Sequence, residues 1–120
     1  MAEQLHLLPR YLDQVVAILR RQVPGVEVWA YGSRVDGTCY DGSDLDLALR
    51  ARGLAKIEYN RLRGLRYALR ESNIPIIVDV RDWAAIPESF QPEIERRHVV
   101  LVPGSDVARA RGATVAQSDR

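Results

Sequence analysis

The sequence predicts a small α/β domain in which helices pack against one face of a mixed β-sheet. Two segments, residues 9–23 and 54–71, carry apolar side chains at helical spacing. Three shorter runs, residues 26–31, 44–49 and 74–80, are rich in apolar and β-branched residues, as strands are. The order is helix, strand, strand, helix, strand, which is typical of one sheet covered by helices.

Composition agrees with one compact domain. The chain has 120 residues, of which 47% are hydrophobic, and a net charge of +1. This balance gives no strong field for nucleic acid, and no apolar run is long enough to cross a membrane. Cys39 is the only cysteine, so no intrachain disulfide forms and a cytoplasmic location is expected. We place the domain at residues 1–103 and predict a flexible tail at 104–120, where apolar periodicity is absent.

The first helix begins at Pro9, because proline suits the first turn of a helix. Pro24-Gly25 ends it. Its apolar stripe is Leu8, Tyr11, Leu12, Val15, Ile18 and Leu19.

The first strand runs into a Gly-Ser turn. Gly32 lacks a Cβ atom, so backbone N–H groups near it can approach an anion closely. Ser33 adds a hydroxyl donor, and a short helix starting there would direct its positive end to the same phosphate. Arg34 either contacts a triphosphate or is exposed to solvent. We therefore predict a nucleotide phosphate site at Gly32, Ser33 and Arg34.

Two aspartates open the second strand. Asp44 and Asp46 are two residues apart, so they share one face of the strand with Cα atoms roughly 7 Å apart. The leucines between and after them occupy the other face and belong to the core. Carboxylates so placed can bracket two Mg²⁺ ions about 4 Å apart, as in phosphoryl transfer.

The second long helix is predicted from Leu54 to Glu71, with Glu58 and Arg61 as an i, i+3 pair on it. A basic stripe runs along one face and consists of Lys56, Arg63, Arg66 and Arg70. It is either an ordinary solvated surface or a docking face for an acidic partner or RNA.

The third strand contains one charge, Asp79, in an otherwise apolar run that begins near Pro75. A carboxylate there is costly unless it meets a cation or a donor. Beside the second strand, Asp79 would be a third metal ligand or the base that accepts the attacking hydroxyl's proton. The plainer interpretation places Asp79 at the strand end, paired with Arg81 or with a helix N-terminus. Asp82 is expected to start a turn or helix.

The remaining elements are short. Residues 83–90 are expected to be irregular or to form one helical turn, and residues 92–97 a short helix with Pro92 at its start. Residues 99–102 form a further strand or an apolar lid.

The segments Tyr31-Gly32-Ser33-Arg34 and Ser43-Asp44-Leu45-Asp46-Leu47 resemble the polymerase-beta-type nucleotidyltransferases. The likeness covers about residues 9–102, and the small size with the single later Asp79 resembles the minimal members. It implies catalytic and metal-binding roles for Asp44, Asp46 and Asp79 with two Mg²⁺ ions, and ATP as donor. It also implies a type VII-like antitoxin that transfers AMP to a tyrosine of a helical, HEPN-type toxin.

Two other functions remain open. One is a small-molecule nucleotidyltransferase similar to the aminoglycoside-modifying enzymes, with an oligomer completing the acceptor pocket. The other is an antitoxin that only binds its toxin, which the complete carboxylate set disfavours. An RNA-tailing activity is disfavoured by the near-neutral charge.

Overall fold

The computed structural model describes residues 5–104, which fold around one four-stranded sheet. Strand order is β3-β2-β1-β4; β1 is antiparallel to both β2 and β4, and β3 is parallel to β2. The sheet is therefore mixed, as predicted. The elements are α1 (Pro9–Gln22), β1 (Glu27–Tyr31), α2 (Ser33–Asp36), β2 (Leu45–Arg50), α3 (Tyr59–Arg70), β3 (Val78–Asp82), α4 (Gln91–Arg96) and β4 (Val99–Val102).

The main core lies between one face of the sheet and helices α1 and α3. Alternation along β2 directs Leu45, Leu47 and Leu49 to this face, and all three are fully buried. Val15 of α1 and Leu65 of α3 are also completely buried in the same cluster. The predicted packing of the two long helices on one face is confirmed.

A second, smaller core covers the opposite face. Trp29 of β1 and Ala48 of β2 point to this side, where they pack with Trp83 and Ile94. Trp29 and Trp83 meet edge to face with ring centroids 5.5 Å apart. The cover is a 3-10 turn at Trp83–Ala85 and the short helix α4. These elements complete a layer that the sequence analysis did not predict.

Helix α3 begins at Tyr59, five residues later than predicted. Before it, Arg52–Leu54 forms a 3-10 turn in which Leu54 has a positive φ of 57°. Glu58 lies at the N-cap, where its carboxylate accepts a hydrogen bond from the backbone N–H of Arg61 at 3.0 Å. The predicted side-chain pair of Glu58 and Arg61 was wrong, because the carboxylate caps the helix instead.

The basic stripe is consequently shorter than predicted. Lys56 precedes α3 in extended chain, so only Arg63, Arg66 and Arg70 lie on the helix. The guanidinium of Arg66 turns toward the sheet and donates to the carbonyl of Val80 at 2.9 Å. The stripe is thus not a uniform solvated surface.

The later elements were predicted, but their ends differ from the predicted bounds. β3 begins at Val78, and the preceding residues 74–77 approach it without strand geometry. Residues 99–102 form a strand that pairs with β1, so the lid interpretation was wrong. The tail predicted at 104–120 lies outside the described residues from 105 onward. Within residues 5–104, no helix has the length and apolar character needed to cross a bilayer.

Candidate active site

The Gly-Ser turn connects β1 to the four-residue helix α2. Gly32 has φ 85° and ψ −155°, a backbone region that is open essentially only to glycine. Its carbonyl accepts hydrogen bonds from the N–H groups of Val35 and Asp36, both at 3.0 Å, which closes the first turn of α2. A Cβ atom on Gly32 would lie 2.6 Å from Oδ2 of Asp46. The turn is therefore built against the carboxylate of the neighbouring strand.

Asp44 and Asp46 lie at the start of β2, where the sequence predicted them. Asp44 is exposed and directly precedes β2, whereas Asp46 is partly buried within it. Asp46 pairs across the antiparallel ladder with Tyr31, the last residue of β1. It lies on the face opposite Leu45 and Leu47, where the small core contains Tyr31.

The third strand brings Asp79 to the same place. In the parallel ladder, Asp79 is the Cα partner of Asp46. Nε of Arg81 lies 3.3 Å from the Asp79 carboxylate, in a partly exposed ion pair. The structure therefore places Asp79 beside Asp46 and also pairs it with Arg81. Its role as a metal ligand or base remains a prediction.

Burial and the crowding of negative charge raise the pKa values of two side chains in this group. The pKa of Asp46 is raised, first by burial and then by the charges of Asp79 and Asp44. The pKa of Tyr31 is also raised, again by burial first and then by the Asp46 carboxylate. Raised pKa values in a cluster of converging carboxylates are typical of functional sites. Tyr31 belongs to this cluster, a role that the sequence analysis missed although the residue adjoins the Gly-Ser turn.

Arg34 serves the loop that leads to Asp44. Its guanidinium is buried and donates to the backbone carbonyls of Ser43 at 3.0 Å, His6 at 2.7 Å, Asp41 at 2.9 Å and Tyr40 at 3.4 Å. The expectation of a solvent-exposed side chain was wrong. These contacts bind the start of α2 to the residue before Asp44, and the contact with a triphosphate remains a prediction.

The carboxylates suit a hard divalent cation. Mg²⁺ prefers oxygen ligands and is commonly held by one or two carboxylates together with substrate phosphates. The raised pKa of Asp46 reflects a concentration of negative charge that a cation would offset. Within residues 5–104, no three His, Cys, Asp or Glu side chains already form a ligand cluster. The fit to a divalent cation therefore rests on the oxygen chemistry of the donors and not on a preformed ligand cluster.

A cavity of about 390 Å³ adjoins the turn. Its lining includes Tyr31, Gly32 and Asp36 on one side and Phe90, Ile94 and Arg97 on the other. This volume lies within the range of small-molecule sites. The cavity therefore offers room for a ligand beside the Gly-Ser turn.

The chain is similar to known proteins over most of its length. Residues 13–106 match the family model described as Polymerase beta, Nucleotidyltransferase. A probable protein adenylyltransferase MntA from Haemophilus influenzae is 38% identical over 98 residues, covering 82% of this chain and 84% of that protein.

A solved structure also shares the fold. It is the crystal structure of a toxin-antitoxin with AMP-PNP, which matches with a TM-score of 0.62 at 18% identity and covers 88% of this chain and 84% of that one. The family match spans most of the chain and contains the Gly-Ser turn and all three carboxylates. The chain therefore belongs to the polymerase beta nucleotidyltransferase family and is a nucleotidyltransferase.

Proposed function

We propose that this chain is an antitoxin that transfers AMP from ATP to a tyrosine hydroxyl of a HEPN-type toxin. The observation that carries the proposal is the pairing of Asp46 with Asp79 directly beside the Gly32 turn. It is supported by the 38% identity to a probable protein adenylyltransferase and by the shared fold with a toxin-antitoxin structure that holds an ATP analogue. ATP is a cytoplasmic donor, so the reaction belongs in the cytoplasm.

The reaction is an in-line displacement at the α-phosphorus of ATP. The acceptor oxygen forms a bond to that phosphorus, the bond to the bridging oxygen breaks, and pyrophosphate leaves. Asp79 accepts the acceptor's proton, because it lies opposite Asp46 on the neighbouring strand and its carboxylate is partly exposed. Backbone N–H groups at Gly32–Ser33 and the Ser33 hydroxyl hold the β- and γ-phosphates.

Asp44, Asp46 and Asp79 would hold the Mg²⁺ ions. When bound, such ions supply positive charge that stabilises the phosphate oxygens in the transition state. The protein's own contribution is positional: the ladder fixes Asp46 between Tyr31 and Asp79, and the Arg34 contacts fix the loop before Asp44. Positioning of this kind supplies a large part of catalysis in phosphoryl transfer.

Transfer of label from α-³²P-ATP with Mg²⁺ tests the proposal. The acceptor is the protein encoded by the neighbouring gene, incubated with wild type, with Asp44→Asn/Asp46→Asn, and with Asp41→Asn as a matched control. Asp41 is an exposed aspartate of the same loop, three residues before Asp44. We expect label on the partner with wild type and Asp41→Asn and none with the double variant. Tight binding of the partner without any label would overturn the proposal and leave an antitoxin that acts by binding.

A further inference from the structure

A groove lies between helix α3 and the outer edge of β3, and its lining includes Asp79. It has a volume of about 450 Å³. Arg66 and Arg70 line its helix side, and residues 74–80, including Asp79, line its sheet side. The groove therefore includes the residue to which we assign the acceptor's proton. The cavity beside Gly32 is lined by other residues, so it is separate from this groove.

The sheet side of the groove presents strand backbone. β3 is an edge strand of the described sheet. The carbonyl of Ile77 accepts from Leu45 N–H of β2, so the backbone groups of the next residue, Val78, point away from β2. The carbonyl of Val80 also points outward, where Arg66 binds it. Val78, immediately before Asp79, therefore presents both of its backbone groups at the free edge, and Val80 adds its N–H.

The side chains along the groove favour an apolar segment with negative charge. Ile77 is 66% exposed, the most exposed aliphatic residue among the large exposed hydrophobics of residues 5–104. Arg66 and Arg70 add two positive charges on the facing helix. An apolar side chain packed on Ile77 and an acidic one near the arginines would complement this surface.

We propose that an extended segment of the acceptor protein adds to the free edge of β3 in this groove and so presents its hydroxyl to the catalytic carboxylates. The inference rests on the proposed function and identifies the surface that selects the acceptor. Added strands of this kind draw affinity from backbone hydrogen bonds and specificity from side-chain contacts.

The outward-facing backbone groups of β3 determine the register in which such a strand pairs with it. Arg66 covers the carbonyl of Val80, so backbone pairing centres on Val78. A residue directly opposite Asp79 then lies on the Asp79 face, with Cβ atoms about 4.5–5.5 Å apart. That face is the one that carries Asp46 and Tyr31. The acceptor residue is thus delivered beside the carboxylates, and its neighbours in sequence contact the groove.

Two variants test the groove without touching the carboxylates. Ile77→Ser removes exposed apolar surface, and Val78→Pro removes an outward N–H at the first residue of an edge strand, where proline is tolerated. The probe is the protein encoded by the neighbouring gene, labelled with α-³²P-ATP at varied concentration. We expect each variant to raise the acceptor KM by roughly tenfold or more, with the Kd for an ATP analogue unchanged. Ile77→Ser decides the outcome if Val78→Pro does not fold.

The matched control is Val100→Ser. Val100 is an exposed aliphatic residue on β4, the opposite edge of the sheet, and we expect wild-type KM from this variant. Equal KM for Ile77→Ser and wild type, or an equal rise for Val100→Ser, overturns the inference while the proposed function stands. A groove variant that changes the oligomeric mass of the free chain, with the acceptor KM unaltered, shows that a second copy occupies the groove and also overturns it. Absence of label with wild type rejects the proposed function and the inference together.

Discussion

Gly32 and Asp46 lie so close that a Cβ atom on the glycine would approach Oδ2 of the aspartate to 2.6 Å. Real Cβ atoms are not found at this distance from an oxygen, so any side chain at position 32 displaces the carboxylate or the turn. The same glycine has φ 85° and ψ −155°, which other residues rarely adopt. The Gly-Ser turn and the Asp46 carboxylate thus share one packing arrangement, and a side chain at position 32 disturbs both.

Gly32→Ala is expected to lower both stability and activity. Backbone strain should reduce the free energy of unfolding by about 1–3 kcal/mol. Displacement of Asp46 should reduce nucleotide transfer by about 100-fold, because small errors in position are costly in catalysis. Urea unfolding and transfer rates measure the two effects. Gly53→Ala is the control: Gly53 has φ 65° and no atom within 4 Å of its Cβ position, so we expect strain of about 1 kcal/mol and wild-type activity.

Asp46→Asn is expected to abolish activity without lowering stability. Because the folded-state pKa of Asp46 is raised, ionised Asp46 destabilises the fold, and its contribution to the free energy of unfolding falls as pH rises from 3.8 through the folded pKa. In metal-free buffer at pH 7, Asp46→Asn should therefore be at least as stable as wild type, and the difference should vanish at acidic pH. Nucleotide transfer should be lost. Thermal unfolding between pH 3 and pH 8 in roughly half-unit steps measures the stability difference.

An aspartate with the opposite shift provides the control for that experiment. The pKa of Asp36 is lowered, chiefly by the hydrogen bond from the Thr38 hydroxyl. Its ionised form therefore adds stability above the unfolded pKa of 3.8, and this contribution is lost as pH falls through the folded value. Asp36→Asn should lower the unfolding temperature at pH 7. A decrease for Asp46→Asn as well would contradict the destabilising role of the Asp46 charge.

Arg34→Lys is expected to act on the loop before Asp44. A lysine cannot reproduce the fork of donors to Ser43, His6 and Asp41. Loss of the buried bond to Ser43 and of the two partly buried bonds should cost about 2 kcal/mol of unfolding free energy. Urea unfolding and calorimetric titration with an ATP analogue distinguish this role from a phosphate contact. Arg10→Lys, at an exposed position, should change stability by less than about 0.5 kcal/mol. Unchanged stability of Arg34→Lys with weaker nucleotide binding would favour the triphosphate contact instead.

Asp79 and Asp82 lie on the same strand but should give opposite phenotypes. Asp79→Asn breaks a partly exposed pair with Arg81, so stability should change by less than about 1 kcal/mol while transfer falls by about 100-fold or more. Asp82 is buried and accepts from the backbone N–H groups of Ile57 at 2.8 Å and Ala84 at 3.1 Å. Asp82→Ala should cost about 1–3 kcal/mol and leave the transfer rate of the folded protein near wild type. A large loss of stability for Asp79→Asn, together with a large loss of transfer for Asp82→Ala, would contradict this assignment of roles.

Local patterns in the sequence predicted most of the elements and the residues of the site. Proline and glycine marked the ends of α1, and period-2 alternation separated Asp44 and Asp46 from the buried leucines, because both signals depend only on nearby residues. The start of α3 was not predictable in this way. Ile57 has helical spacing, yet its N–H is bound by Asp82, 25 residues away, and the helix begins after it.

The sequence by itself determined the family, the α/β class and the three candidate carboxylates, because these follow from residue type and short spacing. Tertiary structure alone decided that β3 lies parallel to β2 with Asp79 opposite Asp46, since strand pairing joins segments more than 30 residues apart. It also decided that Arg34 is buried, through hydrogen bonds to carbonyls contributed by two separate loops. Such contacts depend on how distant segments share a limited interior, and no local pattern specifies them.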